Sequence, residues 1–199
     1  MPKGFSERER ALIQADLLAK GRELFGAHGL RKTNVEDLTR AAGISKGAFY
    51  LFYESKEALF FEILLLFEAE YRTRMLAALR ASDEPPEQRM RNALREAVTL
   101  WRAHPLFTSF GGDDLAYLSR KLTPEQIEAN SAGDLQASRD LIAAGRAAGL
   151  PMNITPELLT GLLRALVMLN FHADDIGPDQ FPAVIDVLVE QIAAYLTKD

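Results

Sequence analysis

Apolar residues recur three and four positions apart along most of the chain, and no segment alternates strictly in the manner of a half-buried strand. The periodicity predicts an all-α fold of about nine helices. Ser6 and Glu9 form a capping box that opens the first, whose apolar positions are Leu12, Ile13, Leu17, Leu24 and Phe25. It runs to about His28 and stops at Gly29. Thr33 with Glu36 reads as a second capping box, followed by Val35, Leu38 and Ala42 on one face. Gly43 ends that helix, Ile44 plugs the corner, and Ser45 caps a third helix from Lys46 to about Phe52. Ser55 caps a long fourth helix with Leu59, Phe60, Ile63, Leu64, Phe67 and Tyr71 on one broad face. The Asp-Glu-Pro-Pro run at 83–86 breaks it.

A fifth helix containing Trp101 follows to about Ala103. The stretch from His104 to Asp114 is less regular, and a short helix covers Asp114 to Arg120. Thr123-Pro124 and Thr155-Pro156 are N-cap and first-turn pairs. They open a helix ending near Gly149 and an apolar helix to about Asp174. Gly177-Pro178 precedes the last helix, roughly Gln180 to Thr197. A boundary near residue 54 divides the chain into a head, 1–54, and a helical body, 55–199.

The head carries the first chemistry. Two short helices joined by a Gly-containing turn form the helix-turn-helix pattern, whose second helix enters the major groove of DNA. Here the chain resembles the tetracycline-repressor (TetR) family of bacterial transcription regulators. The resemblance rests on Thr33-Asn34-Val35-Glu36-Asp37-Leu38, Ala41-Ala42-Gly43-Ile44-Ser45-Lys46-Gly47, Phe49-Tyr50 and Ser55-Lys56-Glu57-Ala58-Leu59. It covers roughly the first sixty residues. Ala48 stands where members often carry Thr or Ser, Leu51 where a polar residue is usual, and Phe52-Tyr53 reverses the common order.

Residue chemistry assigns the contacts further. Ser45, Lys46, Gly47 and Tyr50 lie near the amino end or outer face of the third helix. Lys46 can donate to guanine acceptors or to phosphate, Gly47 lets the backbone come close, and Leu51 can meet a thymine methyl. Phe49 suits the inner face. The resemblance implies that Thr33, Tyr50 and Lys56 hold phosphates. A ligand-responsive, sequence-specific regulator is therefore expected, most simply a repressor released from a palindromic operator by a small apolar or amphipathic molecule.

Composition leaves room for this reading. With 48% apolar and 26% charged residues among 199, the chain describes a soluble globular protein, and no apolar run of membrane-spanning length occurs. Zero Cys and a charged N-terminus without a signal-like segment lead to a cytoplasmic expectation. The net charge of −5 divides unevenly: residues 1–60 carry ten Lys/Arg and eight Asp/Glu, and the remainder thirteen and twenty. An acidic body does not oppose DNA binding by a locally basic head.

Two further partners are expected. Of the last two helices, the first is apolar around more than one face, which calls for a second surface, and the other carries an apolar stripe. Leu159, Leu162, Leu163 and Leu166, with Val184, Leu188, Ile192 and Tyr195, are the candidates for an isologous homodimer interface. The middle helices are expected to line an effector pocket. Its candidates are Phe67, Tyr71, Trp101, His104, Phe107, Phe110, Tyr117, Asn130, Met168, Asn170 and His172, residue types that a core uses equally. The fourth helix is the expected lever between pocket and head.

Catalysis finds little support. The three His are scattered without metal-site spacing, no phosphate-cradling loop or nucleophile elbow appears, and no cofactor or metal is expected. The alternative to a regulator is a helical small-molecule carrier or protein-interaction adaptor that does not bind DNA.

Overall fold

A computed structural model describes residues 5–80, 83–107 and 110–198. Among these the chain is helical throughout, in the order α1 (Glu7–His28), α2 (Val35–Ala41), α3 (Lys46–Phe49), α4 (Lys56–Arg80), α5 (Pro86–Ala103), a 3-10 turn (Pro105–Phe107), α6 (Gly112–Ser119), α7 (Pro124–Ala147), α8 (Pro156–Asn170), α9 (Ala173–Ile176) and α10 (Phe181–Leu196). The all-α expectation holds, with the short α9 as the extra piece after α8.

Local capping sets most of the boundaries. Ser6 Oγ accepts from the Glu9 N–H while Glu9 bonds back to the Ser6 N–H at 2.8 Å, as its spacing predicts. Thr123 and Thr155 cap α7 and α8, each followed by proline in the first turn. The second helix departs from expectation by one residue. Asn34, not Thr33, is its N-cap, and Asp37, not Glu36, completes the capping box. Thr33 is 1% exposed, and its hydroxyl donates to Gly29 O at 2.9 Å instead of capping.

The chain forms two compact units. The first comprises Met1–Phe67 and His104–Leu122, the second Glu68–Ala103 and Thr123–Asp199, so α4 contributes to both. In the first unit, Leu17, Phe25, Leu38, Phe49, Leu59, Phe60 and Ile63 form the core. Phe60 meets Phe25 edge-on at 5.2 Å and stacks on Phe110 at 5.4 Å.

In the second unit, Met75, Leu79, Met90, Leu94, Leu141, Leu159, Phe181 and Val189 are buried. Arg95 on α5 reaches Asp186 at 3.3 Å and Glu190 at 3.1 Å on α10. Beyond α7, Met152 adopts a left-handed backbone, φ +47, and is fully buried. Its N–H donates to Leu196 O at 3.2 Å, and its carbonyl accepts from Arg146 at 3.1 Å. A Cβ at Gly145 would lie 2.7 Å from Met152 Cγ and 2.9 Å from its sulfur, so the helix can pass here only without a side chain.

Candidate functional site

Between α2 and α3 the chain turns through Ala42, Gly43, Ile44 and Ser45. Gly43 takes φ +66, a conformation that a side chain disfavours, and Ile44 N–H then returns to Thr39 O at 3.0 Å. Ser45 Oγ accepts from the Ala48 N–H at 3.1 Å, capping α3 as its position predicts. The α-helix ends at Phe49, short of the expected Phe52. The next residues wind on as turns, with Leu51 N–H on Ala48 O at 3.0 Å and Phe52 N–H on Phe49 O at 2.9 Å.

Burial sorts the side chains of this segment into two sets. Ala48, Phe49 and Tyr53 are buried and fasten it to the core. Burial first, then the neighbouring Glu62, pushes the ionisation of the Tyr53 hydroxyl upward. Ser45, Lys46, Gly47, Tyr50 and Leu51 are exposed, with Tyr50 at 50% and Leu51 at 59%. Those five belong to the DNA set expected from the sequence, and the fold brings them onto one short segment.

Two members of that set stand elsewhere. Thr33 is buried with its hydroxyl committed to carbonyls, so it presents no hydroxyl to a phosphate. Lys56 spends its ammonium on three carbonyls, Leu30 O at 2.8 Å, Arg31 O at 3.1 Å and Thr33 O at 2.6 Å. An ammonium has three N–H donors, so the group is saturated inside the protein. Partial burial holds its pKa below the ordinary lysine value. Lys56 is a staple on the turn between α1 and α2.

Two residues to which the sequence gives no part in the exposed segment shape it. Glu36 on α2 pairs with Lys46; the hydrogen bond between them raises the lysine pKa and lowers that of the carboxylate. Arg10 on α1 donates to Leu51 O at 3.3 Å and lies over the Phe52 ring at 5.0 Å. Phe5 flanks the same ring at 6.1 Å. Neither link has a sequence signal, because the partners are 10 and 41 positions apart.

The expected pocket residues separate. In the first unit, Phe67 packs on His104 at 4.3 Å and on Phe107 at 5.2 Å, and Phe107 meets Phe110 at 6.0 Å; Phe67 and Phe110 are buried, His104 and Phe107 half-buried. Tyr117 donates to buried Glu57 at 2.6 Å, which raises the tyrosine pKa, with Arg31 5.8 Å from its ring. In the second unit, Tyr71, Trp101 and Asn170 do line a cavity, together with Leu94, Ala97, Val98, Leu163, Leu166 and Val167. It holds about 260 Å³ of empty space, part of it open to solvent. Asn170 Oδ1 there is buried without a hydrogen bond. Met168 and Asn130 are half-buried outside that lining, and His172 is exposed against Asp175 at 2.9 Å.

Beside Tyr71, Glu68 is buried and accepts from Arg72 at 3.0 Å. Arg72 also holds Asp134 at 2.7 Å, and Arg164 closes the chain on Asp134 at 2.8 Å. Burial pushes the Glu68 carboxyl up to about 7 against the opposing pull of Arg72. Burial likewise pushes Tyr71 up to about 12.

The expected interface residues also sort by burial. Leu159, Leu166 and Ile192 are buried within the protomer, and Leu163 faces the cavity. Leu162, Val184 and Leu188 are half-buried and Tyr195 is exposed, joined by the exposed Leu158 and Val187.

Residues 17–63 match the family described as bacterial regulatory proteins, tetR family. The chain is 24% identical over 181 residues to the HTH-type transcriptional repressor DhaR of Mycobacterium sp. (strain GP1), covering 88% of this chain and 91% of that protein. An uncharacterized HTH-type transcriptional regulator of Bacillus subtilis (strain 168), YuxN, is 33% identical over 94 residues, 47% of this chain and 29% of its own length. Among solved structures, a TetR-family transcriptional regulator from Pectobacterium atrosepticum superposes with a TM-score of 0.75 at 20% identity, covering 98% of this chain and 99% of its own. At 20% identity the structural likeness shows a shared fold.

Proposed function

We propose that the chain is a member of the TetR family of DNA-binding transcriptional regulators, a repressor that binds a palindromic operator as a homodimer. A small apolar or amphipathic effector releases it. The observation that carries the reading is the exposed outer face of the segment Ser45–Leu51, held on a buried Phe49. The cavity of the second unit supports the effector part. Its lining is apolar and aromatic apart from the amide of Asn170, the character of a site for an apolar or amphipathic molecule. A ligand that favours one conformation over another shifts the population away from the DNA-binding form, and α4, continuous through both units, is the connecting element.

Binding to random duplex DNA at two salt concentrations tests the central point. Each phosphate contact releases counterions, so affinity is expected to fall by orders of magnitude between ~50 and ~200 mM salt. Absence of any salt-sensitive binding would return the chain to the reading of a carrier or adaptor.

Gly47 offers a sharper test because its two consequences have opposite signs. A Cβ at this position would meet nothing closer than Ser45 Oγ at 3.9 Å, so the fold itself does not require glycine. Gly47→Ala is expected to stabilise the free protein by about 0.5 kcal/mol. The same methyl would stand between backbone and groove and weaken operator binding about tenfold. Thermal unfolding and titration of operator DNA measure the two effects separately. An alanine variant that binds as tightly as the parent would remove Gly47 from the interface.

For assembly, Leu158 and Val187 are the most informative positions, since both are exposed in the protomer. Leu158→Lys combined with Val187→Lys is expected to halve the sedimenting mass without changing helical content. A doubly substituted protein that remains dimeric would move the interface off α8 and α10.

A further inference from the structure

The exposed segment differs from an ordinary polar reading head, and the difference specifies which bases it recognises. Of its outward side chains, Lys46 carries the only formal charge, and Glu36 already holds that charge. Recognition of guanine N7 and O6 through Lys46 has to compete with this carboxylate. Ser45 Oγ is engaged as a helix cap, and Gly47 has no side chain. What remains forward is Tyr50 and Leu51.

Leu51 is 59% exposed, an apolar side chain turned largely to solvent in the free protein. Its backbone, by contrast, is fixed from two sides. The Leu51 N–H bonds to Ala48 O at 3.0 Å, and its carbonyl accepts from Arg10 at 3.3 Å. The next residue, Phe52, is clamped by Arg10 at 5.0 Å and by Phe5 at 6.1 Å. An apolar side chain on an anchored backbone at the end of a groove-reading helix is preorganised for an apolar target. The major-groove edge of DNA offers one such target, the C5-methyl of thymine; the other base edges there present hydrogen-bonding groups.

We propose that Leu51 is a specificity-determining residue that reads a thymine methyl in each half of the operator. The proposal rests on the DNA-binding reading above and adds to it the identity of a recognised base. Two symmetric copies of the segment would each read one thymine, so the two methyls contribute together.

The experiment begins with the full-length protein and a pool of random 30-base-pair duplexes. The enriched duplex is resynthesised with deoxyuridine in place of each thymine in turn, a change that removes one methyl and leaves Watson–Crick pairing intact. One thymine per half-site is expected to weaken binding about fourfold when demethylated, the equivalent of one buried methylene, and both together about fifteenfold. Leu51→Ala is expected to bind the thymine and uracil duplexes equally. Because Leu51 is exposed, this variant keeps the parent's thermal midpoint. A duplex pool that yields no enriched sequence overturns the DNA-binding reading along with this one. An enriched duplex indifferent to every thymine methyl, or a methyl effect that persists unchanged in Leu51→Ala, overturns the assignment of Leu51 alone.

Discussion

Replacing Lys56 by methionine is expected to lower the unfolding free energy by about 3 kcal/mol, more than removal of a surface charge accounts for. The ammonium satisfies Leu30 O, Arg31 O and Thr33 O at once, and methionine leaves all three carbonyls without that donor. Hydrogen bonds to a charged group contribute roughly 1.5–3 kcal/mol each, and relaxation or water would recover part of the sum. The same turn carries buried Leu30 and the Thr33 hydroxyl bonded to Gly29 O, so the loss spreads into the packing of α1 against α2. Chemical denaturation followed by far-UV dichroism measures the change. A midpoint shift worth under about 0.5 kcal/mol, as for an ordinary surface lysine, would contradict the staple role.

Glu68 governs the second large effect, which depends on pH. Burial raises its carboxyl from 4.5 to about 7 in the folded protein, while Arg72 pulls the other way. Between those values the folded chain holds a proton that the unfolded chain has released. Stability from this group is therefore complete below about 4.5 and declines as pH rises through about 7. The loss is on the order of 2–3 kcal/mol once the carboxylate is fully charged. Glu68→Gln keeps an acceptor for Arg72 and cannot ionise. The difference between parent and variant is expected to be small near pH 4.5 and to favour glutamine by that amount near pH 8. Parallel stability curves for the two proteins across this range would assign the titration to another group.

Legibility in the sequence followed the distance between interacting residues. Ser6 with Glu9, Thr123 with Pro124 and Gly43 before Ser45 are local devices, and each sits where its spacing places it. The cap of α2 was ambiguous because Thr33 and Asn34 are both good caps, with Glu36 and Asp37 both available three residues on. The Thr33 hydroxyl decides the case by turning back to Gly29, a tertiary choice that no local rule carries. The acceptors of Lys56 are illegible for the same reason: they lie 23 to 26 positions earlier in the chain. The pocket was the least legible part. Phe67, Phe107 and Phe110, like Tyr71 and Trp101, are chemically the same whether they line a cavity or fill a core, and no local rule separates the two.

The approach of Gly145 to Met152 ties two positions to one fate. A methyl at 145 needs the thioether gone, yet the methionine backbone is pinned by Leu196 and Arg146 and cannot step aside. Drift at 145 alone is closed. A larger residue at 145 becomes accessible to descendants of this chain only along a path that first trims residue 152.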